Sequence, residues 1–446
     1  MENKEHVEEK SPPAVPVPFF RPITAFCWED IVKEVMDSGI FVKGPKVQAL
    51  ETNFAIKYGL KAAVAVNSGS TALLLALMAA GVGPGSEVIV PEFTFFGSVA
   101  PVVFLRATPV FVAVTPEGLM DVSRVSRAIT SITRAIIPVH LYGKMVDMIA
   151  LRDLVDKQNA ARPKVLRRGD YMVGMPQIMI IEDCAQAQGA SCGHKFAGAW
   201  GDYAAFSFYP TKIMSAYGDG GLLAVNVPGM VNSMRALVDH GRMPGSSNEV
   251  LEYHHILPGL NFRMSEIVAA LLIRQLAMVE SRIQERAVIA HRYTKRLVGS
   301  PFMVPLGGIR RVFCYYTVFF NSAMERNHCL HYLKKRGIDA RIQYDTDLQL
   351  VVNHMTTNVR LMEGYLHGEG AGHLEDRVLS LPLYPGMPLD DQERVITAVK
   401  EWERECDEGE YARQYDECER RWVAERQPEP GFIPPDGEKG RGCQWR

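Results

Sequence analysis

Short apolar segments alternate with helical patterns along the chain from about residue 62 to residue 226. In order, the segments are AAVAV, TALLLALMAA, EVIVP, SVAPVVFLRA, PVFVAV, AIIPVH, IMIIED and AAFSF. Short continuous apolar strands separated by helices are typical of βαβ units, in which helices cover both faces of a mostly parallel sheet. The pattern therefore predicts an α/β core.

The pattern changes after Arg263, where SEIVAALLIRQLAMVESRIQERAVIAHRYTKRLV predicts a long helix or a helix pair bridging two domains. A smaller α/β unit follows. Its predicted strands are RVFCYYTVFF and DARIQY, and its predicted helices are CLHYLKKRGI and a closing helix near DDQERVITAVKEWERE. We therefore expect a flexible N-terminal segment (1–20), a large domain (21–265), a linking helix with a small C-terminal domain (266–405), and a tail (406–446).

Two segments stand apart from these units. The segment at about residues 155–176 is basic and contains glycine and proline ahead of the strand IMIIED, which indicates an exposed loop. The residues from Cys406 onward are charged and then include PEPGFIPPDGEKGRG. This composition indicates a loosely held tail.

Composition narrows the class of protein. The chain has 446 residues, of which 47% are hydrophobic and 22% charged, and this suits a globular protein of two or three domains. The formal net charge of -2 argues against a nucleic-acid partner, because such proteins carry clustered Lys and Arg. We therefore expect a small-molecule ligand.

The sequence also favours a cytoplasmic location without a membrane partner. The first twenty residues contain no apolar run of signal-peptide length after a basic start. The most apolar run, TALLLALMAAGVG, is shorter than the roughly 20 residues that a membrane span requires. The cysteines show no CxxC spacing, so the sequence predicts neither a metal site nor a disulfide framework.

Three elements carry candidate chemistry. Asp183 ends the strand IMIIED and Lys212 follows the strand AAFSF, so both lie at carboxyl ends of strands, where open α/β sheets bind ligands. The turn SGST (68–71) precedes the helix TALLLALMAA and offers backbone N–H groups to an anion. Together they supply the lysine, the carboxylate and the phosphate cradle that pyridoxal 5'-phosphate (PLP) requires.

Each of these signals has an ordinary structural alternative. An SGST turn is commonly a plain N-cap, and an aspartate after a strand commonly bonds its own backbone. Lys212 alone could extend from a strand end into solvent. The order of the three favours a cofactor site in which Lys212 forms the Schiff base and Asp183 keeps the pyridine nitrogen protonated.

The chain resembles the DegT/DnrJ/EryC1/StrS sugar aminotransferases, which are fold-type I PLP-dependent enzymes. The resemblance covers most of the chain and rests on motifs in the family's order, namely GPKVQALE, VAVNSGSTAL, GPGSEVIVPEFTF, ATPVFVAV, AIIPVHLYG, IEDCAQAQGA, GDYAAFSFYPTK, GDGG, LNFRMSE and LSLPLYPGM. It implies an α/β fold in which helices sandwich the mostly parallel sheet of a large domain, with a smaller C-terminal α/β domain.

The resemblance also implies roles for individual residues. Lys212, in FSFYPTK, is expected to hold PLP covalently and to move the substrate proton, and Asp183 is expected to pair with the pyridine nitrogen. Gln186 is expected against the cofactor ring and Phe95, in PEFTF, stacked on it. The alternatives are a structural amide for Gln186 and core packing for Phe95.

The phosphate is expected at Ser70, Thr71 and Ser207, the last being five residues ahead of Lys212. Asn261, in LNFRMSE, is expected to reach the phosphate from the other subunit, which implies a homodimer with shared active sites. The alternatives are a backbone contact for Ser207 and a structural amide for Asn261.

Three more positions bear on the reaction. Arg263 is a candidate for binding a substrate phosphate or carboxylate, with a surface role as the alternative, and His140, in PVHLYG, is expected to be structural. A branch of the family carries histidine in place of the Schiff-base lysine and dehydrates sugars. The presence of Lys212 favours transamination.

We expect a reaction in two halves. L-glutamate or L-glutamine gives up its amino group and leaves the cofactor as pyridoxamine phosphate (PMP), and a keto-sugar, in particular a nucleotide-linked one, then takes the amino group. The alternatives are a cyclitol or other non-sugar ketone of a natural-product pathway, and a PLP-binding regulator without turnover. A nucleotide-binding oxidoreductase is disfavoured because no GxGxxG follows an early strand.

Overall fold

The computed structural model describes residues 15–22, 27–162, 177–243, 254–299, 311–345, 347–356, 359–361 and 374–407. The predicted tail beyond Asp407 and most of the predicted loop ahead of IMIIED lie outside these residues.

The described residues form an α/β structure. The helices are α1 (Trp28–Ser38), α2 (Pro45–Tyr58), α3 (Gly69–Ala79), α4 (Ala100–Phe104), α5 (Val122–Ala128), α6 (Met148–Ala161), α7 (Val231–Val238), α8 (Glu266–Arg296), α9 (Ala323–Lys335), α10 (Leu348–Met355), α11 (Leu374–Arg377) and α12 (Leu389–Asp407). The strands are β1 (Ala63–Val66), β2 (Glu87–Pro91), β3 (Thr108–Val112), β4 (Thr133–Ile136), β5 (Met179–Asp183), β6 (Ser191–Cys192), β7 (Lys195–Phe196), β8 (Tyr203–Ser207), β9 (Gly221–Val225), β10 (Tyr316–Phe319), β11 (Arg360–Leu361) and β12 (Val378–Leu381).

One eight-stranded sheet organises the large unit, in the order β1-β9-β8-β5-β4-β2-β3-β11. The six strands β8, β5, β4, β2, β3 and β11 are parallel to one another, whereas β9 is antiparallel to both β1 and β8. The sheet is therefore mostly parallel, as the sequence predicts. Strands β1, β2, β5 and β9 are buried at every position, which explains why they read as continuous apolar runs.

Helix α8 is a single helix of 31 residues rather than a helix pair, and it joins two hydrophobic cores. Leu272 and Leu276 pack in the core of the large sheet. Ile289 and Tyr293, further along the helix, pack in a second core with β10, β12, α9 and α12. The helix thus holds the two cores at a fixed separation of several turns.

The described part of the N-terminal segment packs against the C-terminal unit. Val17 and Phe19 are buried. The N–H of Val17 donates to the carbonyl of Gly337 (2.8 Å), and the N–H of Asp339 donates to the carbonyl of Val17 (2.9 Å). Apolar side chains in an otherwise polar segment therefore anchor it to the C-terminal unit.

Two local predictions were wrong. Residues 155–161 belong to helix α6, so the predicted loop cannot begin before its end. The segment DARIQY forms no strand, and its contact with β12 is an isolated bridge between Arg341 and Ser380. Both segments carry a weak periodic pattern, and tertiary contacts decided their conformations.

None of the described helices combines the length and apolarity that a membrane span needs.

The carboxyl group of Glu92, directly after β2, provides a test of the packing at the carboxyl end of that strand. Burial raises the pKa of Glu92 from 4.5 to about 7, and the nearby Glu375 adds to the rise, while the N–H of Val114, which donates to Oε1, opposes it. Since the folded chain keeps a proton that the unfolded chain releases, this group's contribution to stability falls as the pH rises between 4.5 and about 7.

We expect Glu92→Gln to be more stable than the wild type at about pH 8 by on the order of 1 kcal/mol, and to lose this advantage at about pH 4. Urea unfolding at both pH values measures the difference. Glu29→Gln, at an exposed position of α1, is the matched control and should show no such pH dependence. If Glu92→Gln changed the free energy of unfolding by the same amount at both pH values, the result would contradict the raised pKa of Glu92.

Candidate active site

A cavity of about 450 Å³ opens where the carboxyl ends of β5 and β8 meet the start of α3. Asp183 and Lys212, which are 29 positions apart in the sequence, both line it. Strands β5 and β8 are adjacent and parallel, with Asp183 opposite Ala205, so their ends lie at one edge of the sheet. The topology thus brings the predicted lysine and carboxylate together.

Asp183 is a buried carboxylate that faces this cavity, with 6% of its surface exposed. The hydroxyl of Ser98 donates to Oδ2 (2.7 Å) and the N–H of Ala185 donates to Oδ1 (3.0 Å). Among the described residues, no basic side chain forms an ion pair with it. A buried carboxylate needs compensating charge, so this position fits a protonated ring nitrogen.

The amine of Lys212 lies in an aromatic environment. Its Nζ is 3.4 Å from the hydroxyl of Tyr315 and 5.5 Å from the centre of the same ring. The Tyr315 hydroxyl is also 2.8 Å from that of Thr211. The side chain is therefore held inside the cavity rather than extended into solvent.

The protonation of Lys212 depends on its two tyrosine neighbours. Burial acts to lower the pKa of the amine, but the charge interactions with Tyr315 and Tyr344 outweigh it, so the pKa of Lys212 lies above its ordinary value. Burial raises the pKa of both phenols. The amine of Lys212 is therefore protonated at neutral pH before it reacts.

The start of α3 forms the anion-binding edge of the cavity. Ser68 caps the helix by accepting the N–H of Thr71, and the preceding N–H groups of Gly69 and Ser70 have no acceptor within the helix. A Cβ at Gly69 would lie 2.8 Å from the Cβ of Ser207, so only glycine lets the helix approach β8 this closely. The helix start and Ser207 thus lie on one side of the cavity.

The structure separates the residues predicted for the phosphate. Ser70 and Ser207 line the cavity. Thr71 is not among the residues that line it; its hydroxyl donates to Asn67 (2.7 Å) and lies 2.9 Å from the hydroxyl of Ser68, which does line the cavity. Phosphate binding by Ser70, Thr71 and Ser207 stays a prediction.

Gln186 and Phe95 are connected through Tyr344. Gln186 accepts the N–H of Tyr142 (2.8 Å) and donates to the hydroxyl of Tyr344 (2.9 Å). The rings of Phe95 and Tyr344 lie 5.3 Å apart at 36°, and Phe95 lines the cavity with about half of its surface exposed. Phe95 is therefore placed to cover a flat ligand, and Gln186 supports the wall behind it.

Asn261 and Arg263 lie outside the described lining of this cavity. Asn261 is exposed, and Arg263 forms an ion pair with Asp239, which Lys43 also contacts at 2.6 Å. Neither residue reaches the Lys212 cavity of its own chain. Their predicted roles require another subunit and remain predictions.

His140 is structural, as the sequence predicts. His140, Glu182 and Cys184 place candidate ligand atoms within 4.8 Å of one another, but they do not offer a metal site. The N–H of Val146 donates to Nδ1 of His140 (3.2 Å), so Nε2 carries the hydrogen and donates to Glu182 (2.9 Å). Burial raises the pKa of the Cys184 thiol well above its usual value, which disfavours the thiolate that binds metals.

Glu182 fixes the turn that precedes β8. Its carboxylate accepts the N–H groups of Gly198 (3.0 Å), Trp200 (2.9 Å) and Gly201 (2.6 Å), besides the hydrogen of His140. Four donors satisfy a charge that is otherwise completely buried. The contact sets the position from which β8 runs to Ser207 and Lys212.

The cavity residues that were not predicted from the sequence include Tyr315, Tyr344, Thr211 and Arg341. Thr211 is adjacent to Lys212 and could have been included for that reason. The other three come from the C-terminal unit, and no local pattern indicates that they fold over the large sheet.

The residues present fit PLP. The cavity combines a reactive lysine, a buried carboxylate without a cationic partner, a helix N-terminus with serine hydroxyls, and an aromatic ring. These match the Schiff-base, ring-nitrogen, phosphate and ring-stacking requirements of this cofactor. The fold and the site together define a PLP-dependent aminotransferase.

Comparison with known proteins gives the family. A model of the DegT/DnrJ/EryC1/StrS aminotransferase family matches residues 28–161 and 172–400, and the chain belongs to this family. It is 35% identical to the dTDP-3-amino-3,4,6-trideoxy-alpha-D-glucose transaminase of Micromonospora megalomicea subsp. nigra, over 83% of this chain and 93% of that protein.

Solved structures agree. DesV from S. venezuelae, solved in complex with a ketimine intermediate, is 34% identical, with a TM-score of 0.74 over 87% of this chain and 99% of its own. Spr1654 from Streptococcus pneumoniae, solved in a PLP form, is 26% identical, with a TM-score of 0.77 over 87% of this chain and 99% of its own. The predicted family and fold class are confirmed.

The close approach of β9 to the start of α3 provides a test of the phosphate cradle. A Cβ at Gly221 would lie 2.3 Å from the carbonyl carbon of Ser68, which is a backbone atom. We expect Gly221→Ala to push the helix start away, to destabilise the fold by about 1–3 kcal/mol and to weaken PLP binding.

Urea unfolding and a PLP titration followed by absorbance measure both effects. Gly83→Ala is the matched control, because a Cβ there meets no atom within 4 Å. Unchanged stability and PLP affinity in Gly221→Ala would contradict the described packing.

Proposed function

We propose that the protein transfers an amino group from L-glutamate or L-glutamine to a keto-sugar linked to a nucleotide. The proposal rests on one observation: Lys212 and the carboxylate of Asp183 line the same cavity. The sugar substrate is inferred from the named activity of the relative from Micromonospora megalomicea subsp. nigra. The same geometry would serve a cyclitol or other non-sugar ketone, which substrate screening distinguishes.

Lys212 has two tasks in this proposal. PLP, when bound, supplies an electron sink that stabilises negative charge at the carbon next to the transferred nitrogen. Lys212 would hold the cofactor covalently, and its free amine would remove the proton from that carbon and return one in the second half of the reaction. Its hydrogen bond to the hydroxyl of Tyr315 (3.4 Å) keeps the amine inside the cavity.

Asp183 and the helix start orient the cofactor from opposite ends. Asp183 holds a proton on the pyridine nitrogen by charge, and Ser98 orients its carboxylate with a 2.7 Å hydrogen bond. The α3 N-terminus, Ser70 and Ser207 would bind the phosphate. Lys212 lines the same cavity and would attach to the cofactor there.

We propose further that the functional unit is a homodimer in which Asn261 completes the partner's site. Asn261 is exposed in a segment whose neighbours Ile256 and Leu260 are also exposed apolar residues. Phe41 and Val42 are about half exposed as well, and Val42 forms a bridge to Ser265 in the same region. Exposed apolar residues near a predicted ligand contact favour burial against a second copy.

Lys212→Ala should slow the first half-reaction by about 100-fold or more, because the variant lacks both the covalent anchor and the base. The rate is measured as conversion of bound PLP to the PMP form after addition of L-glutamate or L-glutamine, by absorbance. Added methylamine should restore part of the rate. Lys57→Ala, at an exposed position of α2, is the matched control.

An unchanged rate of PLP conversion in Lys212→Ala would contradict the assignment. A wild-type protein that binds PLP but converts neither amino acid would instead favour the regulator without turnover. Once the first half-reaction is established, nucleotide-linked keto-sugars and cyclitol ketones are compared as acceptors.

Mixing two inactive variants tests the shared site. A Lys212→Ala chain would supply Asn261 to the intact Lys212 of an Asn261→Asp chain, so refolding the two together should restore about a quarter of the wild-type activity. Each variant refolded alone is the control. Absence of complementation, with mixed dimers demonstrated by two affinity tags, would show that each chain builds its own site.

A further inference from the structure

Arg341 lines the Lys212 cavity from the C-terminal unit. Its backbone is fixed to β12, since the N–H of Arg341 donates to the carbonyl of Ser380 (3.0 Å) and the N–H of Ser380 donates to the carbonyl of Arg341 (2.8 Å). The Cα position therefore belongs to the scaffold rather than to a free loop.

The guanidinium group is braced on two sides. Nε donates to Oδ1 of Asp339 (3.2 Å) and Nη2 donates to Oδ2 of the same carboxylate (2.7 Å). The guanidinium carbon also lies 4.9 Å from the centre of the Phe19 ring. Asp339 accepts the N–H of Phe19 (3.3 Å), so the brace and the stacking ring are joined.

This brace occupies one edge of the guanidinium and leaves the other available. Arginine has five N–H donors in a planar fork, and Asp339 engages the edge formed by Nε and Nη2. Among the described residues, no acceptor engages Nη1. The edge formed by Nη1 and Nη2 has the geometry that binds a carboxylate with two parallel hydrogen bonds.

The charged residues that line the cavity indicate what the Nη1–Nη2 edge of Arg341 can bind. Of the described lining residues, Lys212 and Arg341 are the basic ones, and Asp183 and Asp219 are the acidic ones. In the proposed function, Lys212 is committed to holding the cofactor and moving the proton. An amino acid that enters with its carboxylate therefore finds its compensating charge at Arg341.

We propose that Arg341 binds a carboxylate of the amino acid donor, with Asp339 and Phe19 as positioning residues that hold the guanidinium for it. This proposal rests on the proposed aminotransferase function and adds the residue that recognises the donor. Two other anions of the reaction, the cofactor phosphate and the diphosphate of a nucleotide-linked acceptor, carry similar chemistry. The proposal commits to the donor carboxylate because the phosphate has its own binding edge at α3, Ser70 and Ser207.

The test uses the holoenzyme, with glutarate and L-glutamate as ligands. Glutarate, a dicarboxylate without an amino group, is titrated by calorimetry to measure carboxylate binding without reaction. We expect Arg341→Gln to weaken glutarate binding by about 10- to 100-fold. We expect the same variant to need a correspondingly higher L-glutamate concentration for half-maximal conversion of bound PLP, with a smaller change in the limiting rate.

Two further variants separate charge from geometry. Arg341→Lys keeps the charge but loses the planar fork, so its affinity for glutarate should lie between those of the wild type and Arg341→Gln. Asp339→Asn keeps Arg341 but weakens its brace, and should raise the half-maximal L-glutamate concentration with little effect on the limiting rate. Arg127→Gln, at an exposed position of α5 outside the cavity lining, is the charge-matched control.

Equal glutarate affinity in the wild type and Arg341→Gln would overturn the proposal. So would a loss confined to PLP affinity or to the dependence on the keto-sugar, since either would place a phosphate rather than the donor at Arg341. If the wild type converts no amino donor at all, the proposed function fails, while the glutarate titration still decides whether Arg341 binds carboxylates.

Discussion

The site depends on two adjacent acidic residues at the end of one buried strand. Successive side chains of a strand point to opposite faces, so Glu182 and Asp183 enter different environments. Glu182 is saturated by three backbone N–H groups and His140, and this fixes the turn that leads into β8. Among the described residues, the carboxylate of Asp183 accepts hydrogen bonds from Ser98 and Ala185, and it lines the cavity. The fold thus satisfies one buried carboxylate and leaves the neighbouring one for a ligand.

The second half of the chain completes what the sheet begins. Helix α8 connects the two cores and so holds the C-terminal unit against the carboxyl edge of the sheet. Tyr315 reaches Lys212 from this unit, and Tyr344 reaches Gln186. The buried segment around Val17 ties the N-terminus to the same unit. The sheet therefore positions Asp183 and Lys212, whereas the aromatic residues around the amine of Lys212 come from a distant part of the chain.

The cavity takes its residues from both the large sheet and the C-terminal unit. The phosphate edge at α3 and Asp183 both belong to the large sheet, where close packing at Gly69 and Gly221 fixes their geometry. Arg341 and the tyrosines come from the C-terminal unit, and Asn261 lies on an exposed surface of the large one. The cavity is therefore built from both units, and a substitution in the C-terminal unit can reach Lys212 through Tyr315 and Gln186 through Tyr344.

The sequence by itself determined the parts of the protein that local physics controls. Continuous apolar runs predicted the parallel strands because both their faces are buried, and the strand ends carrying Asp183 and Lys212 predicted the cavity because parallel strands end at one edge. Thr71 was assigned to the phosphate by position alone, and only the fold showed its hydroxyl bonded to Asn67. Tyr315, Tyr344 and Arg341 were decided by tertiary structure. Their places in the cavity arise from contacts between residues more than 100 positions apart, which no local pattern records.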